Sequence, residues 1–156
     1  IPLVERYAID ENRGHLLIDV TEKKVFALLA VERDGRLLPF EIDENFTPMR
    51  GTRIYSPDNP LVILRGFDRM TGGVKDFLLG LDRMRKTDAA LYRELAEIHI
   101  GSDGSMDVYM RSRRTGFVAR SSRDFFRNIK AAVSYLDSRR RYPERAWLGS
   151  DGFVLR

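Results

Sequence analysis

Apolar and polar residues alternate singly along much of this chain, and in two places the apolar spacing lengthens to that of a helix. LVERYAID and HLLIDVTE flank the turn-forming ENRG, and in the second arm Leu16, Ile18 and Val20 fall on one face, which predicts a β-hairpin. KKVFALLAVERDGRLLPFEID gives two more strands around Asp34-Gly35; the run Val25 to Val31 is too short to favour a helix. NFTPMRGTRIYSPDNP reads as a loop, and LVILRG, Leu61 to Gly66, as a short strand. From Gly73 to about Lys86, Val74, Phe77, Leu78, Leu81 and Met84 fall on one face of a helix, the spacing of a core stripe. AEIHI, SMDVYMR and TGFVAR then read as three consecutive antiparallel strands, the first two joined by a turn at Ser102 to Gly104.

SSRDFFRNIKAAVSYLDSRRR predicts the clearest helix. Ser121 and Asp124 resemble a capping box, Phe125, Phe126, Ile129, Val133 and Leu136 form the buried stripe, and Arg123, Arg127 and Lys130 lie on the other side. Arg139 to Arg141 stand at its end, where cations suit the helix dipole. A final strand follows Tyr142-Pro143. The order predicts an α+β fold, with a mostly antiparallel mixed sheet, helices packed on one face and a C-terminal strand.

Composition narrows the chemistry. With no cysteine among the 156 residues, thiol catalysis, disulfides and cysteine-ligated zinc are excluded. His15 and His99 each sit in a strand-like run, the usual setting of a packed or surface imidazole. The phosphate-loop, dinucleotide-binding, zinc-protease, serine-hydrolase and EF-hand patterns are all missing, and the carboxylates are scattered, so the expected function is binding, with no enzyme activity and no cofactor. No apolar run approaches the roughly 18 residues of a membrane span. The sequence opens on Ile1 without a leader-like segment and is expected to be part of a longer protein.

Charge is uneven. Residues 1–100 hold 15 Lys and Arg against 17 Asp and Glu, whereas residues 101–156 hold 12 against 6. Arg111, Arg113, Arg114 and Arg139 to Arg141, with Tyr109, Phe117 and Tyr142 nearby, make one candidate surface, for a nucleic acid or another anionic polymer. The other candidate is RAWLGSDGFVLR, Arg145 to Arg156, because an apolar terminal strand needs a pairing partner along its edge.

The succession of elements resembles the periplasmic part of the FtsQ/DivIB cell-division family. Ile18, Val20, Glu22, Lys23 and Ala27 follow the family's passage from a small POTRA domain into its β-domain. DGRLLPF and NPLVILRG are similar to the next two segments, and ALYRELAEIHIGSDGSMDVYM and TGFVARSSRDFFRNIKAAVSYL to the following strands and penultimate helix. Where the family usually carries Asp-Leu-Arg before its last turn, this chain has Trp147, Leu148 and Gly149.

The resemblance implies that residues 1–22 are the closing hairpin of a truncated POTRA-like domain and residues 23–156 a β-domain. It also implies a non-enzymatic divisome scaffold, held at the inner membrane by an N-terminal anchor outside this sequence, with this part in the periplasm. Its partners would be FtsB/FtsL-type proteins, or DivIC-type ones, recruited through the terminal strand. That places the expected site at Arg145, Trp147, Leu148, Gly149, Ser150, Phe153, Val154 and Leu155. Backbone pairing would supply affinity by β-augmentation, and Trp147, Leu148, Phe153 and Leu155 would supply specificity. In the alternative, Trp147 and Phe153 face the core, and Leu148, Ser150 and Val154 carry the interface with the backbone.

Overall fold

The computed structural model describes residues 4–12, 14–49, 59–66, 72–140 and 142–155. Most of the loop expected between Asn45 and Pro60 lies outside them. β1 (Val4–Asn12) and β2 (His15–Glu22) form a two-stranded antiparallel sheet of their own. The remaining strands are β3 (Val25–Arg33), β4 (Arg36–Asp43), β5 (Pro48–Met49), β6 (Leu61–Arg65), β7 (Leu95–Gly101), β8 (Met106–Met110), β9 (Gly116–Ala119), β10 (Arg145–Gly149) and β11 (Gly152–Leu155). They make one sheet in the order β11-β10-β9-β8-β7-β6-β3-β4-β5. Three helices are described: α1 (Gly72–Thr87), α2 (Ala89–Glu94) and α3 (Ser122–Arg139).

The fold is α+β, and its large sheet is mixed: five neighbouring pairs are antiparallel and three parallel. Two of the parallel pairs explain the position of the helices. Parallel neighbours need a crossover, and α1 with α2 joins β6 to β7 while α3 joins β9 to β10. The register makes β6 and β9 run the same way, and both crossovers step in the same direction along the sheet. Crossovers of one hand must then lay their helices on the same face. One core joins them: Phe77, Leu78 and Leu81 of α1 and Phe125, Ile129 and Leu136 of α3 pack with Leu29, Val62, Ile98, Val108 and Phe117 of the sheet. Each fully buried side chain of that size contributes roughly 1.5–3 kcal/mol relative to exposure.

Local chemistry sets the element ends. Asp34 and Gly35 both have positive φ, 52° and 70°, the conformation of the tight turn whose backbone twist matches paired strands. Ser121 Oγ accepts from the Asp124 amide at the start of α3. Asp43 ends β4 as an acceptor for Asn45 N, Thr47 N and Lys23 Nζ. Burial alone would raise its pKa, yet those donors hold the carboxyl below the ordinary range.

One helix is added to the expected elements, and one expectation changes. α2 was hidden in ALYRE, which has a single turn of apolar spacing; Asp88 caps it by accepting from Leu91 N. The expected single terminal strand is a hairpin, because Ser150-Asp151 turns the chain and Gly149 pairs with Gly152.

Candidate partner-binding site

The terminal hairpin is built outward from α3 and β9. β10 runs parallel to β9, with Trp147 opposite Val118 and Leu148 opposite Ala119. β11 folds back antiparallel, with Trp147 opposite Val154 and Leu148 opposite Phe153. Side chains opposite one another share a face, so Ala146, Leu148, Phe153 and Leu155 point toward the helices. Ala146 and Leu148 are buried, and Phe153 and Leu155 are half-buried against the core. Phe153 also packs on Tyr135 of α3, with the ring centroids 5.6 Å apart.

Trp147 and Val154 face the other way and are 41% and 58% exposed. The arrangement with Trp147 and Phe153 inward and Leu148 outward is therefore corrected. The Ser150-Asp151 turn puts Trp147 and Phe153 on opposite faces, and Leu148 belongs to the core. Trp147, Leu148, Ser150, Phe153 and Val154, with Val118, border a groove of about 690 Å³. Gly149 and Ser150 are exposed at the turn, and Arg145 is exposed at the start of β10.

α3 holds this hairpin by its turn. Buried Asn128 donates through Nδ2 to Gly149 O at 2.6 Å and to Asp124 O at 3.1 Å. Arg127 Nη1 donates to Ser150 O at 3.2 Å. These two positioning residues were absent from the sequence-derived site. Asn128 carried a signal, as a polar residue three positions after Phe125 within the apolar stripe.

Among the described residues β11 pairs with β10 alone, so its second edge presents backbone groups to any added strand. The chemistry available here is strand pairing beside an exposed Trp and Val. Among the described residues no group of three His, Asp or Glu side chains is placed to hold a metal ion.

The arginine-rich surface is put to other uses. Arg111 donates from Nε to Arg93 O at 2.8 Å and from Nη2 to Asn59 O at 3.1 Å. Arg113 grips both oxygens of Asp137 at 3.1 and 2.7 Å and reaches Glu94 Oε2 at 3.0 Å, tying β8's exit to α2 and α3. That guanidinium, by hydrogen bonding to Asp137, holds its carboxyl below the ordinary range. Arg114, Arg139 and Arg140 are exposed, with Arg139 lying over the Tyr135 ring, and Arg141 is outside the described residues. No helix among the described residues is long and apolar enough to cross a membrane. No family model matches the chain, and no curated protein matches it.

Proposed function

We propose that this chain is a non-enzymatic scaffold domain that recruits a partner by strand addition to the free edge of β11. The role is that of an FtsQ/DivIB-like β-domain in bacterial septum formation, facing the periplasm and engaging an FtsB/FtsL-type partner. One observation carries the reading: among the described residues β11 has a strand neighbour on one side only, in a hairpin fixed from behind by Asn128 and Arg127. Main-chain bonds along that edge supply affinity, while Trp147 and Val154 offer side-chain contacts on one face. Arg145 makes no ion pair among the described residues and suits an acidic partner residue, which would act on association rate more than on affinity.

Calorimetric titration with the soluble segment of an FtsB/FtsL-type protein tests this. Saturable binding is expected at moderate salt, weakened at least tenfold by Leu155→Pro, which removes an amide on the outer edge of β11. Arg36→Ala, seven strands away across the sheet, should leave it unchanged. Equal losses from both substitutions, or no binding by the intact chain, would reject the site. Binding only to an anionic polymer, falling steeply with salt, would instead favour Arg114, Arg139 and Arg140 as the contact surface.

A further inference from the structure

On the helix-covered side, away from the free face of Trp147, α1 and α3 border a second groove of about 740 Å³. Its floor is apolar: Met84, Leu91 and Ile129 are buried beneath it, Phe126 is half-buried, and Leu79 on the α1 lip is 53% exposed. Gly80 shapes the floor. A Cβ built there would lie 2.3 Å from the Phe126 ring, so the ring fits against α1 only because the helix carries no side chain at that point. Phe126 in turn stacks on Phe77, with the centroids 5.4 Å apart.

The rim is basic. Arg83 from α1 and Arg123 from α3 are exposed and make no ion pair among the described residues. Two more cations, Arg127 and Lys130, are engaged by Ser150 O and by Asp88 at 2.8 Å. Asp88 is therefore occupied, both by Lys130 and as the cap of α2, and among the described residues Asp76 is the one further acid on the rim. A polymer carrying charge along its whole length would gain nothing from Leu79 and Phe126. A ligand with an apolar stripe between acidic flanks matches both floor and rim, and two helices side by side offer the trough that a third helix fills.

We propose that the α1/α3 groove receives an acidic amphipathic helix of a partner protein, at a site independent of the β11 edge. The probe is a synthetic peptide of about 16 residues, with Leu or Ile at helical spacing and Glu on either flank, and a control peptide with Lys in place of Glu. Titrated into the folded domain and followed by amide resonances, the acidic peptide should shift α1 and α3 saturably and leave β11 unmoved. Arg83→Glu with Arg123→Glu should weaken it roughly tenfold or more, and the Lys peptide should then bind the doubly reversed variant. Both arginines are exposed and make no ion pair among the described residues, so the variant keeps the fold, which the spectrum itself verifies. Failure of the acidic peptide to shift these helices, or binding unaffected by the reversal, would overturn the proposal. So would equally tight binding of these helices to phosphatidylglycerol vesicles or single-stranded DNA.

Discussion

The hairpins β1–β2 and β10–β11 are written in nearly the same pattern and end in different surroundings. In the first, Tyr7 pairs with Val20 and Ile9 with Ile18, and Leu16 lies on the same face. These side chains are 47–71% exposed. In the second, Leu148 pairs with Phe153 and Ala146 with Leu155, and α3 covers them. Alternation records that a strand has an apolar face; it does not record what covers that face. A lone two-stranded ribbon is marginal in water, whereas β10–β11 continues a large sheet and is fixed through its turn carbonyls.

The sharpest way to break this contrast is truncation of the face that is covered. Leu148→Ala should cost about 2–5 kcal/mol, since the cavity adds to the lost burial, and lower the melting temperature by roughly 5–15 °C. A smaller fall, measured by thermal unfolding, would mean that α3 does not cover the hairpin tightly. Asp43→Asn probes the other end of the sheet and should cost about 1.5–3 kcal/mol at neutral pH, because a buried carboxylate loses charge-assisted bonds to Lys23 and to two amides. The sign is fixed by the lowered pKa of Asp43 in the fold. Its contribution is complete above the unfolded carboxyl's pKa of about 3.9 and disappears as pH falls through the folded value, so wild type and variant should converge in acid. A gap constant with pH would contradict the assignment.

Asn128→Ala comes next, at about 1–2 kcal/mol, because it strands the Gly149 carbonyl beside the helix. Amide exchange should rise in β10 and β11 before it rises elsewhere in the sheet. The smallest effect belongs to Ile18→Ala, within about 0.5 kcal/mol of wild type in global unfolding, as for other exposed sites. A cost as large as that of Leu148→Ala would show that something covers the first hairpin.

The stretches legible in the sequence were those where one local rule decided the outcome. Both long helices fall within a residue or two of their expected bounds, and Val74, Phe77, Leu78, Leu81 and Met84 are all buried. The Asp34-Gly35 turn and the β7–β8–β9 meander also follow the pattern. What escaped it depended on neighbours distant in sequence. Phe126 reads as core, yet it lies half-exposed over Gly80, a contact 46 residues away that no periodicity encodes. The parallel β9–β10 pairing is set by the α3 crossover, and the turn at Ser150-Asp151 in RAWLGSDGFVLR is too short to stand out from its apolar flanks. The face assignment at Trp147 and Leu148 followed from that turn, since one reversal of direction decides which residues stand opposite one another.

Strand addition to the edge of β11 that carries no neighbour among the described residues is tested most directly by amide hydrogen exchange of the intact chain with and without an FtsB/FtsL-type segment. The expected result is slowed exchange at Phe153 and Leu155, whose amides face away from β10, with β1–β2 unchanged. Unaltered exchange in β11, or new protection confined to β1–β2, would contradict it and move the recruiting surface to the exposed face of the first hairpin.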